Sequence, residues 1–153
     1  MKKFTLIAGP CAIEDDMIPF KIAKEVKAIC NKLDIEFIFK GSYRKANRSK
    51  LDSFTGIGDD IALNIIKQIG KDLRVETITD IHESHEVAHV AKFVDHLQIP
   101  AFLCRQTALL LEAGKSGCGV NIKKGQFLSP EAMIFPLEKV LSTGNKNVWL
   151  CER

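Results

Sequence analysis

The feature that most constrains the fold is an alternation of short and long segments repeated along the whole chain. Six short runs are rich in apolar and β-branched residues: FTLIAG (4–9), EFIFKG (36–41), VETITD (75–80), VDHLQIP (94–100), GVNIKK (119–124) and NVWLCE (147–152). Between them lie PFKIAKEVKAICNKL (19–33), DDIALNIIKQIGKDL (59–73), ESHEVAHVAKFV (83–94), QTALLLEAGKSG (106–117) and SPEAMIFPLEKVLSTG (129–144), most with apolar residues at three- and four-residue spacing. Strands that read as apolar on both faces, separated by helices, predict a parallel sheet covered by helices.

Two architectures share that pattern, an open doubly wound sheet and a (β/α)8 barrel. An open sheet gathers its chemistry at one switch point, whereas a barrel draws it from the C-terminal ends of many strands. Here the six runs are followed in turn by Cys11, by Lys40 and Lys45, by Asp80, by Arg105 and Gln106, by Lys123 and Lys124, and by Glu152 and Arg153. The α/β class expected is therefore a (β/α)8 TIM barrel. Only about six strands and five helices are present, against eight of each and typically ~250 residues. Residues 1–153 thus read as a single, incomplete barrel domain whose first and last strands are open apolar edges.

Composition narrows the ligand. A chain of 153 residues, 46% hydrophobic, has enough apolar side chains for a core. Its net charge of +3 is too small for a general nucleic-acid binder, and Tyr43 is the one aromatic among the clustered cations. The charge is local: FKGSYRKANRSK (39–50) carries Lys40, Arg44, Lys45, Arg48 and Lys50 and no carboxylate. That favours a small anion. The leader-like start MKKFTLIAGPCAIEDD is interrupted by Pro10 and followed by Glu14, Asp15 and Asp16, so it reads as a buried strand and not a signal peptide. No segment approaches the apolar length of a membrane span. Five cysteines, an odd number without a CxxC pair, point to a reducing cytoplasm.

Lys40, Lys45, Arg105, Lys123 and Arg153 at successive strand ends would make an electropositive pocket for phosphate or carboxylate, because bonds from cations to those groups are short and strong. Arg44 and Lys50 read as solvated surface. HEVAH (85–89) matches the H-E-x-x-H zinc-protease motif. On a helical wheel, however, Val87, Val90, Ala91 and Val94 share one face and His85 and His89 the opposite one, which puts both histidines outside. GIGDDI (56–61) lacks the third glycine of a dinucleotide fingerprint and reads as a loop with Asp59 or Asp60 capping the next helix. Cys11, after a Gly-Pro turn, is expected either as a small buried hydrophobe or, among cations, as a thiolate. Cys30, Cys104, Cys118 and Cys151 read as structural.

IAGPCAIE, FKGSYRKANRSKLDSFTG, TDIHES, LQIPAFLCRQT, VNIKKGQF and LCER together resemble the 3-deoxy-D-manno-octulosonate 8-phosphate synthase family, in the family's order and over essentially the whole chain. The related 3-deoxy-D-arabino-heptulosonate 7-phosphate synthases share the GPC turn but have a Lys-Pro-Arg-Thr type loop in place of KGSYRKANRS. The resemblance implies a cytoplasmic (β/α)8 transferase, usually a homotetramer, that condenses phosphoenolpyruvate with arabinose 5-phosphate on the route to the lipopolysaccharide sugar. It implies that Lys40 and Lys45 meet the phosphoenolpyruvate carboxylate region and that Arg105, Lys123 and Arg153 hold its phosphate, with Lys40, Lys45 and Lys123 catalytic. It places Asn47, Arg48, Ser49 and Asp80 on the arabinose phosphate side, Arg48 and Ser49 reaching into a neighbouring subunit's site. Ser42, Gln106 and Gln126 complete the substrate-contacting set.

The Cys11 position resembles the metal-dependent branch of the family, implying a divalent ion such as zinc, iron or manganese with Cys11 as one ligand. The family's other ligands, a His, a Glu and an Asp, come from later strands than this chain contains, so the chain alone is expected to be inactive. Ala108 stands where the family commonly has Asp. Two further readings compete: a truncated, non-catalytic relic that keeps an anion-binding rim, and the metalloprotease suggested by HEVAH.

Overall fold

Alternating strand and helix segments become parallel strands and covering helices in the computed structural model, which describes residues 3–153. Met1 and Lys2, the start of the leader-like stretch, lie outside the described residues. The chain forms two compact units divided between Thr79 and Asp80.

The first unit runs β1 (Thr5–Ala8), α1 (Met17–Lys32), β2 (Glu36–Lys40), α2 (Asp59–Leu73) and β3 (Glu76–Asp80), whose last residue opens the second unit. Its strands are parallel and follow chain order, with Ile7 opposite Ile38 and Phe39 opposite Thr77. Helix α2 buries Ala62, Leu63, Ile66 and Ile69. That three- and four-residue stripe is the one read from sequence, and it closes over a core of Ile38, Phe39 and Ile78, all at most 2% exposed. Neither Asp59 nor Asp60 caps this helix, contrary to expectation. The N-cap is Gly58, whose φ of 112° suits a residue without Cβ, and Asp59 is the first helical residue. Helix α1 starts two residues before the periodic segment; Asp15 Oδ1 accepts the Ile18 N–H at 2.6 Å, and Pro19 fits the first turn, where its missing N–H costs nothing.

The second unit contains α3 (Val87–Val90), β4 (His96–Ile99), α4 (Thr107–Lys115), β5 (Gly119–Lys123), α5 (Ile134–Leu141) and β6 (Val148–Cys151). Its strands β4, β5 and β6 are also parallel and in chain order; Gln98 lies opposite Asn121, and Asn121 opposite Trp149. The succession of parallel β/α repeats is that of a partial (β/α) barrel. The outer strands β1 and β6 contain no fully buried residue, so the leader-like start forms a strand as expected but not a buried one.

Two expectations change in this unit. The helix read over 83–94 breaks into a 3-10 turn, Ser84–Glu86, and the single α turn of α3. Nor are the strands apolar on both faces. In β4 and β5 one face carries Leu97, Ile99, Val120 and Ile122, all fully buried, while the other carries His96, Gln98 and Asn121, polar and only 4–5% exposed. Gly119 is required on that polar face: a Cβ there would stand 2.1 Å from His96 Nδ1, because the imidazole leans across to the Trp149 ring, 4.6 Å between centroids.

Candidate functional site

Parallel strands bring all their C-terminal ends to one rim of each unit, and that rim carries most of the residues singled out from sequence. In the first unit β2 ends at Lys40, and the chain then turns inward. Ser42 and Tyr43 are buried, the Ile13 N–H donates to Ser42 O at 3.1 Å, and the Tyr43 N–H donates to Thr79 Oγ1 at 3.4 Å. The turn passes close to β1. A Cβ on Gly9 would lie 1.9 Å from the Lys40 carbonyl oxygen, so only glycine permits this approach.

The buried Ser42 hydroxyl is a meeting point for two cations. Lys45 Nζ donates to Ser42 Oγ at 3.0 Å and Lys40 Nζ to the same oxygen at 3.5 Å. Both lysines are half-buried. Two ammonium groups held on one neutral oxygen form a preorganised site for a carboxylate or phosphate, since fixed cations favour an anion without having to rearrange. The next residues are fastened differently. Arg44 pairs with Asp59 at 3.4 Å and lies over the Tyr43 ring, 5.6 Å from its centroid, so it is half-buried and packed and not the solvated residue expected. Lys45 N–H donates to Thr55 O at 2.7 Å and Arg48 Nε to Phe54 O at 2.8 Å, closing the loop on itself. Asn47, Arg48 and Ser49 sit exposed on that loop.

The rim of the second unit is organised around a polar chain that sequence reading missed. Asn121 Nδ2 donates to Gln98 Oε1 at 3.2 Å, and Gln98 Nε2 donates to Asp80 Oδ1. The Ile81 N–H also donates to Gln98 O at 3.1 Å. The available signal was the strict alternation in HLQI and VNIK, which sets Gln98 and Asn121 on a face opposite the leucine, isoleucine and valine side chains. Of the expected residues here, Asp80 and Lys123 are half-buried, while Arg105, Gln106, Gln126 and Arg153 are exposed. Lys139 Nζ donates to Arg105 O at 3.4 Å and to Thr107 Oγ1 at 2.8 Å, so α5 fastens the start of α4 and the backbone of Arg105. Gln106 and Ala108 line a cleft of about 280 Å³ together with His82, Glu83 and Ser84. Lys124, read from sequence as a strand-end cation outside the substrate-contacting set, is buried; its ammonium donates to the carbonyls of Gly125 and Leu128 and lies 3.4 Å from a Glu152 oxygen.

Cys11 is exposed, in a cleft of about 160 Å³ with Pro10, Ala12, Glu14, Ile18 and Pro19. Its reading as a small buried hydrophobe is overturned. Cys30, Cys104 and Cys118 are buried, as expected of structural thiols, and burial pushes the Cys118 thiol up. Among the described residues no group of three or more His, Cys, Asp or Glu side chains could hold a metal ion. One thiol falls short of the three protein ligands of a catalytic zinc site, so these residues by themselves do not compose one. In HEVAH, the Glu86 carboxylate accepts the backbone N–H groups of His82 and Glu83 at 3.0 and 3.2 Å in a capping box, and His85 and His89 face solvent. The motif is a helix start and not a metal centre. No helix among the described residues is long and apolar enough to cross a membrane.

With this geometry in place, residues 1–153 match the DAHP synthetase I family along their entire length. The chain belongs to this family. Similar curated proteins share one printed name. A 2-dehydro-3-deoxyphosphooctonate aldolase of Fusobacterium nucleatum is 48% identical over 152 residues, covering 99% of this chain and 55% of that protein. Proteins of the same name from Acidithiobacillus ferrooxidans and Francisella tularensis are each 47% identical, covering 98% and 99% of this chain and 53% and 55% of their own lengths. The chain thus spans about half the length of the curated relatives it matches. In this member of the DAHP synthetase I family, the motifs IAGPC, FKGSYRK, TDIHES and NIKKG all straddle strand C-termini. The family resemblance of the sequence motifs and the partial barrel both stand.

Proposed function

We propose that the protein to which this chain belongs condenses phosphoenolpyruvate with arabinose 5-phosphate, giving 3-deoxy-D-manno-octulosonate 8-phosphate and inorganic phosphate. The observation that carries the reading is the pair of lysines held on the buried Ser42 hydroxyl, in a chain nearly half identical to proteins named for the octulosonate product. The chemistry needs such a device. The enol methylene carbon attacks the sugar aldehyde carbon, water adds to the carbon bearing the phosphate, and that carbon–oxygen bond then breaks to release phosphate. Two anions that repel one another must be aligned, and the charge that develops must be met by cations already in place.

In this proposal Lys40 and Lys45 take the phosphoenolpyruvate carboxylate, with Ser42 setting their spacing. Lys123, Arg105 and Arg153 take its phosphate, and Asp80, Asn47, Arg48 and Ser49 line the arabinose 5-phosphate side, with Gln106 and Gln126 beside the substrates. A homotetramer and a cytoplasmic location belong to the same reading. A divalent ion enters it only through Cys11, as one thiolate among ligands supplied from outside this chain, where it would act as a Lewis acid.

The test is phosphate release from phosphoenolpyruvate, measured on the protein as its native host makes it, with and without arabinose 5-phosphate. Release should depend on the pentose phosphate. Lys45→Met should raise the KM for phosphoenolpyruvate by roughly 10–100-fold, the equivalent of losing one charged hydrogen bond. Arg44→Met, which removes a partly exposed ion pair, should leave that KM within about twofold. Preference for another aldose phosphate would overturn the substrate assignment, and phosphoenolpyruvate binding without turnover would mark a non-catalytic relic.

A further inference from the structure

We infer that Gln98 and Asn121 form a directional relay that holds Asp80 in place for arabinose 5-phosphate, making both amides positioning residues; the inference rests on the function proposed above. The logic begins with what each group can donate. An ionised carboxylate only accepts, so the Gln98 side chain must turn its NH2 toward Asp80 and its oxygen away. That oxygen then needs a donor, and Asn121, opposite Gln98 in the β4–β5 register, meets it with Nδ2 at 3.2 Å. Each amide has one donor end and one acceptor end, so the orientation of Asn121 sets that of Gln98, and Gln98 engages one oxygen of Asp80. Asp80 is the last residue of β3, where the proposed function places arabinose 5-phosphate, so fixing its carboxylate fixes what the sugar meets there.

Burial gives the relay its leverage. Gln98 and Asn121 are each 5% exposed, so water does not readily replace a lost partner, and a chain of buried hydrogen bonds works only when every link is made. Trp149 stands opposite Asn121 on β6, and His96 lies on the same face of β4 as Gln98, so the relay is walled by two packed rings.

Because the relay has a direction, one substitution can invert it. In Asn121→Asp a carboxylate replaces the donor, and Gln98 then has acceptors at both ends and one NH2 to share. Burial raises the pKa of the introduced acid, and once protonated its O–H donates to Gln98 Oε1 and restores the relay. The expected result is a KM for arabinose 5-phosphate raised on the order of 10–100-fold at pH 8. It should fall back toward the wild-type value as the pH is lowered, with the KM for phosphoenolpyruvate unmoved throughout. Asn121→Leu, similar in volume but without a donor, should keep the raised sugar KM at every pH. His96 on β4, Lys123 two residues along β5 and Asp80 itself are unchanged in all three proteins, so a pH slope unique to Asn121→Asp belongs to position 121.

The kinetics are measured on the protein as its native host makes it. A pH-independent sugar KM equal to wild type in Asn121→Asp, or equal effects on both substrates in both variants, would overturn the relay while leaving the proposed function standing. Absence of pentose-dependent turnover in the wild type overturns the function and the relay together. If Asn121→Asp does not fold, Asn121→Leu decides: a sugar KM at the wild-type value sinks the inference, and a raised one with phosphoenolpyruvate unaffected supports it.

Discussion

Gly9→Ala tests whether the close approach of β1 to β2 is what sets Lys40 in place. The added Cβ would lie 1.9 Å from Lys40 O, 2.9 Å from Lys40 C and 3.1 Å from Phe39 Cε2. The first two are backbone atoms, so no side-chain rotation relieves the clash. Ordinary contact lies near 3.5 Å, and the two strands must therefore separate by roughly 1.5 Å at this level. Ala8 pairs with Phe39 just below, so the movement is concentrated at the strand end that carries Lys40. Forcing extra volume into a packed site costs about 1–3 kcal/mol, which for a chain of this size lowers the unfolding temperature by roughly 2–12 °C. A displacement of about 1 Å at a residue that aligns a substrate can cost ~100-fold in rate.

Scanning calorimetry reads the first effect and a phosphoenolpyruvate titration with turnover the second. Gly117→Ala is the control. Its φ of +83° makes alanine strained, yet nothing lies within 4 Å of the new Cβ. It should therefore destabilise by about 1–2 kcal/mol without changing phosphoenolpyruvate affinity. A Gly9→Ala protein with unchanged unfolding and unchanged affinity would refute the reasoning.

Glu86→Ala removes the carboxylate that accepts two backbone N–H groups at the start of the helical turn and should cost about 1 kcal/mol in thermal unfolding. Bound zinc and peptide cleavage should be the same before and after, whereas a metalloprotease would lose cleavage. Cys118 gives the stability a pH dependence: its thiol is raised in the folded protein, chiefly by burial, so its contribution is full below the ordinary thiol range near 8.5 and is lost as pH rises toward the higher folded value. The fall in unfolding temperature between pH 7 and pH 10 should be smaller in Cys118→Ala. At pH 8 an alkylating reagent should label exposed Cys11 in the native protein and reach buried Cys118 only after denaturation, as peptide mapping would show.

Much of the fold was legible because burial leaves a local trace. The stripe Ala62, Leu63, Ile66 and Ile69 needs only the 3.6-residue period of a helix, and the runs around Phe39, Ile78 and Ile122 need only enough β-branched and aromatic side chains to fill a strand. The cations at strand ends were legible for the same reason, since Lys40, Lys45 and Lys123 follow the last apolar residue of their strands. Helix ends were less so. Glu86 folds back to the N–H groups of His82 and Glu83 and starts a helical turn inside a segment whose periodicity runs on past it, and Gly58 displaces two aspartates from a capping position that composition favours.

What sequence determined is therefore the order of strands and helices, the family, and the rim to which each charged residue belongs; all of these depend on neighbours within a few residues. Tertiary structure decided which side chains share a level. Lys40 and Lys45 meet on Ser42 only because the chain turns inward after β2, past the glycine that follows β1. Asn121 reaches Gln98 only because β4 and β5 pair in that register. Register is set by hydrogen bonds and side-chain packing between segments some twenty residues apart, and a shift of one residue would carry every one of those polar groups to the opposite face.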